Sequence, residues 1–415
     1  MRQSSLFTKT RREDPKDEVA KNARLLTRAG FIHKELAGVY SYLPLGLRVI
    51  EKINHIIRKE MNALGGQEVS LSHLQDAELW QKTDRWDDNK VDIWFKTKLK
   101  NDSELGLNFT NEEPITRLAK EHIQSYRDLP ASLYQIDRKF RNETRAKSGI
   151  LRGREFLMKD LYSFHTSEED LNNFYERVKQ AYLNIFKQVG LGESTYTTFA
   201  SGGVFSEFSH EFQTLTPAGE DIIYYSQDKK LAVNKEVYND EVLKTVGLER
   251  SDLEEGKAIE VGNIFKLGTR FSEALDLYYL DDAGKKHEVI MGSYGIGPER
   301  LMGTVVEVLG KDDGLVWPES IAPFKVHLIV LNLEEEAVKD WAEQIYKELT
   351  ERGVEVLYDD RPTSTGEKLS DADLLGLPKR VIVSKRNLDS NQLEYKNLST
   401  SETTMLAPDE LYATI

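Results

Sequence analysis

Two runs of β-type residues, "SLYQIDRKFRNE" beginning at Ser132 and "REFLMKDLYSFH" ending at His165, bracket a short Gly-containing loop. No other feature restricts the possible folds as tightly, because strands flanking such a loop predict an antiparallel hairpin. The hairpin is also where positive charge collects. From Arg138 to Lys159 eight basic residues face two acidic ones, within a 415-residue chain of formal charge −14. Charge this local implies a local purpose. Side chains along a strand alternate between faces, so Arg141 and Glu143 point the same way, as do Arg152, Arg154 and Phe156 on the second strand. A guanidinium grips phosphate or carboxylate through two parallel hydrogen bonds. A neighbouring carboxylate accepts from an amino group, and a phenyl ring offers a stacking plane. Together these suit a nucleotide; the other reading is a surface ladder of cross-strand ion pairs.

A chain this long exceeds one ordinary core and suits two or three domains. No run of 18 apolar residues is present, so no membrane span is expected. The opening "MRQSSLFTKTRREDPKDE" has no apolar stretch to serve as a signal-peptide core, and its acidic residues argue against a transit peptide. A cytoplasmic location is the expectation. The absence of Cys excludes disulfides, thiolate zinc sites and a cysteine nucleophile together, and the eight His show no metal-ligand spacing. Any cation should be a hard one such as Mg²⁺, held by carboxylates and substrate phosphates. The acidic balance speaks against a general nucleic-acid coat protein, though not against a local basic surface.

Gly46 to Ala63 reads as an amphipathic helix with Leu47, Ile50, Ile53, Ile57 and Met61 on one side. Gly65-Gly66 ends it, and "QEVSLSHL" then alternates like a strand. A capping box, Thr166-x-x-Glu169, opens a second helix whose apolar stripe is Leu171, Phe174, Val178, Tyr182 and Ile185. Asn239 to Ala258 is polar and acidic and reads as a surface connection between two segments of one sheet. After "WPESIAPF" the pattern becomes strand, helix, strand, helix, strand. "KVHLIVL" is a buried-strand run, and Glu334 to Arg352 is helical with Val338, Trp341, Ile345 and Leu349 inward and Gly353 at its end. "VEVLYDD", a short helix around Lys368 to Leu375, and "RVIVSK" complete it. The expected fold is an α+β domain with an antiparallel sheet over residues 1–320, then a smaller α/β domain with a mostly parallel sheet over 321–415. The boundary falls near Pro318 to Pro323.

Three further stretches carry candidate chemistry. In "MGSYGIGPERL", Gly295-x-Gly297 invites a dinucleotide reading, but Arg300 stands where a third Gly is required and no βαβ unit opens there. A Gly-rich turn entering a helix with Arg300 in its first turn suits a polyphosphate, or else a tight turn chosen for packing. In "NFTNEEPIT", Thr110 and Glu112 flank Asn111. A hydroxyl and a carboxylate at that spacing suit an ammonium ion, or equally an N-cap with a first-turn acid. In "SGGVFSEFSHEFQTL", Gly202-Gly203 gives a ligand room near the backbone, and His210 either lines a pocket or is a satisfied structural histidine.

Taken in order, the Arg-x-Glu strand, basic loop, Arg-Glu-Phe strand and late Gly-rich turn with its Arg resemble motifs 2 and 3 of the class II aminoacyl-tRNA synthetases. "FRNETRAKSGILRGREFLMKDLYSFH" looks like motif 2 of the prolyl-tRNA synthetases of bacterial type. "SHEFQTL", "VGNIFKLGTRFSEAL", "GSYGIGPER", "LVWPESIAPF" and the N-terminal "LTRAGFIHKELAGVYSYLPLG" fit the same family. The resemblance covers nearly the whole chain. It implies that proline is activated with ATP and Mg²⁺ and then transferred to tRNA(Pro). Arg141 would meet the α-phosphate and Glu143 the adenine amino group. Phe156 would stack on one face of adenine, with Arg300 on the other and reaching the γ-phosphate. Arg152 and Gln213 extend this ATP set. Thr110 and Glu112 would receive the prolyl ammonium beside Ser293, with Met158, Phe164 and His210 around the pyrrolidine ring. The C-terminal "DDRPTSTGEKLSDADLLGLP" resembles the class IIa anticodon-binding domain, implying contacts from Asp360, Arg361 and Lys368, for which local ion pairing is the alternative.

Two departures from the family pattern carry expectations of their own. Relatives of bacterial type commonly hold a large editing domain between motifs 2 and 3, and here only the stretch around Asn239 to Ala258 occupies that place, too short for a domain. No cis-editing of Ala-tRNA(Pro) is therefore expected. Motif 1, which forms the homodimer interface in class II enzymes, has Ser72 where a Pro is usual. The resemblance still implies a homodimer. A paralogue that kept the fold and lost activation would be expected to lack Arg141, Glu143, Arg300 or the Thr-x-Glu pair, all of which are present.

Overall fold

The structure, a computed structural model, describes residues 1–144, 146–202 and 208–415. Arg145 of the basic loop and Gly203 of the Gly-Gly pair lie outside the described residues. The chain forms two compact units: Leu36–Tyr40 with Ile53–Thr304, and Met1–Glu35 with Ser41–Lys52 and Val305–Ile415. Among the described residues no helix is long and apolar enough to cross a membrane.

Helix α1 (Pro44–Ala63) forms where the periodicity places it, with Ile50, Ile53, Ile57 and Met61 buried. Leu47 departs from expectation and is 50% exposed. The buried row runs Leu45, Val49, Ile53, Ile57, Met61, strictly four residues apart, and Leu47 falls outside that ridge.

The unit that includes Ile53–Thr304 is organised on a nine-stranded sheet. Its strands are β1 (Gln67–Glu68), β2 (Ala131–Phe140), β3 (Glu155–His165), β4 (Thr195–Ser201), β5 (Phe208–Leu215), β6 (Asp221–Ser226), β7 (Leu231–Asn234), β8 (Glu254–Gly268) and β9 (Ile290–Ile296). Their order is β5-β4-β7-β6-β8-β9-β3-β2-β1, and β5 also pairs with β8. Only β1 with β2 and β7 with β4 are parallel. The expected hairpin is β2 with β3, in antiparallel register from Ala131 opposite Phe164 to Phe140 opposite Glu155. β2 ends at Phe140, so Arg141 and Glu143 stand beyond the ladder rather than on alternate positions of it. Of "QEVSLSHL" only Gln67–Glu68 is a strand before Leu74.

Helix α2 (Glu112–His122) enters the unit behind Asn111, and α3 (Glu168–Gln188) covers one sheet face. The cap of α3 is Ser167, whose hydroxyl accepts from the Asp170 N–H; Thr166 was expected in that place. Glu168, Glu169 and Asp170 follow in the first turn, where carboxylates complement the helix dipole. All five residues of the expected stripe are buried. At about 1.5–3 kcal/mol for each large apolar side chain removed from water, that stripe fixes α3 to the sheet. The connection after β7 is more structured than its composition suggests. It folds into α4 (Asp240–Val246), capped by Asn239 and closed by Gly247 at φ +70, with Val242, Leu243 and Leu248 in a small core against Val233. Helix α5 (Pro298–Leu309) follows β9 directly.

The other unit contains a five-stranded sheet in the order β11-β10-β12-β13-β14, from β10 (Val326–Val330), β11 (Val356–Asp359), β12 (Lys379–Val383), β13 (Leu393–Asn397) and β14 (Thr403–Leu406). The expected parallel set is β11-β10-β12, which β13 and β14 extend antiparallel. All five residues of β10 are buried, as a central strand requires. Helix α6 (Glu336–Glu351) packs Val338, Ile345 and Leu349 on one face, with Trp341 partly buried beside them. Helix α7 (Thr365–Leu375) places Ala372 against Ile329 and Ile382 on the other. The open edge of β11 is covered by the chain's own start: the Tyr358 N–H donates to the Met1 carbonyl at 2.9 Å, and the Met1 ammonium donates to the Val356 carbonyl at 2.9 Å. This is why Met1–Glu35 groups with the C-terminal residues, although it precedes the expected boundary near 320 by the length of the sheet domain.

Candidate active site

Period-two alternation sorts the central strands into two faces. On β3, Lys159 and Leu161 point toward α3: Lys159 Nζ bonds the Tyr182 hydroxyl, and the Tyr294 ring of β9 meets Phe174. The opposite face presents Met158, Asp160 and Tyr162, with Ser293 and Gly295 of β9 directly opposite Tyr162 and Asp160. Gly295 matters here because a Cβ would come within 2.8 Å of the Asn263 side chain and reach toward Met158, filling the floor of this face.

Above it, the basic loop is held on three sides. The Arg141 N–H donates to the Arg154 carbonyl at 2.7 Å, and the Arg154 N–H donates to Gly38 at 2.7 Å. Gly38 has φ +76, and a Cβ there would meet Ala146 at 2.5 Å, so only glycine lets this turn approach the loop. On the third side, Glu220 accepts from Ser148 at 3.1 Å and pairs with Lys147 and Arg152, each at 3.3 Å.

Beneath the loop lies a cavity of about 260 Å³ lined by Arg141, Glu143, Arg152, Glu220, Asp221, Glu260 and Arg300, among others. A contiguous recess shares Arg141, Glu143, Arg152 and Arg300 and adds Phe156, Met158 and Gly297. The strand–turn–helix around Gly297 thus delivers Arg300 to the same space as the hairpin arginines. Arg300 is oriented by the carbonyls of Leu151 at 2.9 Å and Glu260 at 3.0 Å. Arg141 is held by the Phe109 carbonyl at 3.3 Å and the Met158 sulfur at 3.9 Å rather than by a carboxylate, and its guanidinium lies 5.2 Å from the Phe156 ring centre. Burial, and next the charge of Arg300, lower its pKa. Two guanidiniums facing one cavity make a place for polyanionic charge. Glu143 accepts from Arg152 at 2.8 Å.

A second cluster adjoins Phe109. The Thr110 hydroxyl donates to Glu112 Oε2 at 2.7 Å, and the Ser293 hydroxyl donates to Glu112 Oε1 at 3.2 Å. The Asn111 N–H donates to the Tyr162 hydroxyl at 3.1 Å. Asn111, rather than Thr110, is the cap residue of α2 and makes no side-chain cap bond, while Glu112 stands as an acid in the first turn. Glu112 is 2% exposed and Thr110 5%. A buried carboxylate with hydroxyls on both oxygens and one guanidinium on Oε2 can still accept from a small cationic group.

Not every candidate joins these clusters. Gln213 lies on the cavity-side face, donating to Glu211 at 2.9 Å and to Asp221 at 2.8 Å, with its buried Oε1 left as an acceptor. Phe164 sits deeper, fully buried among Ile115, Phe271 and Met291. His210 projects from the helix-covered face: its ring meets the Tyr175 hydroxyl at 2.8 Å, and burial pushes its pKa down to about 4. His210 and Gln213 lie three positions apart, and that odd spacing on one strand already places them on opposite faces. In the other unit, Arg361 forms a two-pronged pair with Asp359 at 2.7 and 2.9 Å and another with Asp371 at 2.8 Å. Lys368 is 2% exposed and donates to the Val330 and Asp359 carbonyls. Asp360 accepts from the Ser4 N–H at 3.0 Å and pairs with Arg2 at 3.3 Å. All three are engaged within their own unit.

Several site residues escaped the sequence reading. Lys139 and Asp160 form a buried pair at 2.7 Å under the cavity face, and Gln135 donates to Asp160 at 3.2 Å. The available signal was a Lys and an Asp within the two β-type runs that form the hairpin. Glu211, Asp221 and Glu260 approach one another; burial first, then Glu260, pushes the Glu211 carboxyl up to about 8. Arg85 pairs with both Glu112 and Glu113.

Residues 95–309 match the family model for the tRNA synthetase class II core domain (G, H, P, S and T), and 325–415 match the anticodon binding domain. Curated relatives include the proline--tRNA ligases of Bacillus cytotoxicus and of a Geobacillus species, each 34% identical, over all of this chain and 99% of the relative. Each alignment runs over 564 residues against 415 here, so those relatives hold positions with no counterpart in this chain. Among solved structures, the Giardia lamblia prolyl-tRNA synthetase in complex with prolyl-adenylate superposes with a TM-score of 0.78 at 19% identity, covering 94% of this chain and 74% of that one. The Cryptosporidium parvum prolyl-tRNA synthetase complexed with halofuginone and AMPPNP superposes with a TM-score of 0.79 at 16% identity, covering 95% and 75%.

Proposed function

This chain belongs to the proline--tRNA ligase family of class II synthetases, and from that membership we infer how its residues divide the work of joining proline to tRNA. The enzyme activates proline with ATP, releasing pyrophosphate, and transfers the prolyl group to the tRNA end. The observation that carries the assignment of roles is the juxtaposition of a cavity lined by Arg141 and Arg300 with the hydroxyl-fixed carboxylate of Glu112.

Glu112 receives the secondary ammonium of proline, with Thr110 and Ser293 fixing its plane. Met158 borders the ring, and Phe164 supports that wall from behind. His210 stiffens the sheet through Tyr175 on the far face. The proline carboxylate then lies toward Arg141, which neutralises both it and the α-phosphate during in-line attack. Arg300 takes the outer phosphates, and Arg152 and Glu143 exchange their mutual bond for the nucleotide. Phe156 offers its ring to adenine once Arg141 turns to phosphate. Gln213 Oε1 supplies an acceptor at the cavity wall. No covalent bond to the protein is needed, so positioning and charge neutralisation supply the rate.

Glu211, Asp221 and Glu260 form a carboxylate cluster whose mutual repulsion a hard cation relieves. Mg²⁺ arriving with ATP would be held by the substrate phosphates with these carboxylates nearby. When bound, the ion supplies neutralisation of the triphosphate. In the C-terminal domain, 321–415, Arg361 and Lys368 shape the anticodon-facing surface through Asp359, and Asp360 stands at its border. A homodimer in the cytoplasm completes the reading, and the mass in solution tests the dimer directly.

Proline-dependent ATP–pyrophosphate exchange tests the activity: saturation with proline is the expected result, and absence of exchange from folded, ATP-binding protein would overturn it. The segment between β7 and β8 is filled by α4 and its small core, which leaves no editing domain there. Alanine is smaller than proline, and missing methylenes give only modest discrimination. The purified enzyme is expected to form Ala-tRNA(Pro) slowly and not to hydrolyse it; deacylation above background contradicts this reading.

A further inference from the structure

We propose that Arg85 is a positioning residue of proline recognition, holding the Glu112 carboxylate in place for the incoming ammonium without touching the substrate. The inference rests on the role given to Glu112 above.

Glu112 and Glu113 occupy the first turn of α2 side by side, 2% and 0% exposed, and Arg85 beside them is 3% exposed. Its Nη1 stands 3.2 Å from Glu112 Oε2 and 3.0 Å from Glu113 Oε2. One guanidinium is therefore shared between two adjacent buried carboxylates. Burial pushes the Glu113 carboxyl up to about 7 against the pull of Arg85, and the Thr83 hydroxyl donates to it at 2.7 Å.

Arg85 itself is immobilised. Its N–H donates to the Trp80 carbonyl at 3.0 Å, and its carbonyl accepts from the Trp94 indole at 2.8 Å. The guanidinium carbon lies 5.4, 5.2 and 5.4 Å from the ring centres of Trp80, Phe109 and Phe271. Three aromatic faces around a cation hold it electrostatically and exclude water. Boxed this way behind α2, Arg85 acts on substrate only through Glu112. Of the two Glu112 oxygens, Oε2 takes Thr110 and Arg85 and Oε1 takes Ser293, so the three donors together fix the carboxylate plane.

The test is steady-state exchange kinetics on the full-length protein with proline and ATP varied separately. For Arg85→Met the KM for proline should rise roughly tenfold or more while the KM for ATP stays within about twofold, because a loosened carboxylate weakens ammonium binding but not the phosphate cavity. Arg85→Lys keeps the charge in the aromatic box but not the planar fork, and should give an intermediate rise of about threefold. A proline KM unchanged in Arg85→Met, or both KM values rising together, overturns the proposal. Should Arg85→Met fail to fold, Arg85→Lys decides alone, an unchanged proline KM being the contrary result. Absence of proline-dependent exchange in the unsubstituted enzyme would instead remove the role given to Glu112 and is distinguishable from either outcome.

Discussion

Replacing Arg141 with Ala is expected to lower proline-dependent ATP–pyrophosphate exchange by roughly 10²–10³-fold, the range found when a preorganised donor to developing charge is removed. The expectation follows from its environment. Arg141 is steadied by a carbonyl and a sulfur, stands over the Phe156 ring, and faces Arg300 across the cavity, so its charge is uncommitted to any carboxylate in contact and available to phosphate. Arg141→Lys should recover only a minor part, since an ammonium cannot reproduce the guanidinium fork. The measurement is exchange at saturating proline and ATP. Near-normal turnover in Arg141→Ala would show that the attacked phosphate lies elsewhere in the cavity.

The largest stability effect is expected at Lys139. It is fully buried and its ammonium lies 2.7 Å from Asp160, so Lys139→Met leaves a buried carboxylate without its cation. Removing one partner of such a pair costs about 3–5 kcal/mol. Urea denaturation followed by tryptophan fluorescence should show the midpoint fall sharply, Trp80 and Trp94 lying within the same unit. The double variant Lys139→Met with Asp160→Leu should regain most of that loss, because a well-packed apolar pair replaces the desolvated ions. If the double variant is no more stable than the single one, Lys139 contributes through packing rather than charge.

Much of the fold was legible because it is local. The β2–β3 hairpin follows from alternating residues around a Gly-containing loop, and the stripe of α3 from spacings of three and four. The parallel set in the C-terminal unit follows from strand and helix alternation. Errors arose where two local solutions differ little. Ser167 and Thr166 are both good caps, and the backbone selects Ser167. Leu47 and Leu45 both lie near the apolar side of α1, and packing keeps the row that runs at intervals of four.

The site divides along the same line. The residues of the basic loop and the Gly-rich turn were readable one by one, since each carries its chemistry in its own side chain and short spacing. The charged residues of the C-terminal unit were not, because Arg361 and Lys368 meet their partners only once β10, β11 and α7 come together. Sequence by itself determined the β2–β3 hairpin, the stripe of α3, the parallel set of the C-terminal unit and the order of the candidate residues along the chain. Tertiary structure alone decided that His210 faces α3, that Lys139 and Asp160 form a buried pair, and that Arg85 stands behind Glu112. Local propensity and alternation act over a few residues, whereas burial and ion pairing depend on which faces meet, and that is fixed only when the sheet closes.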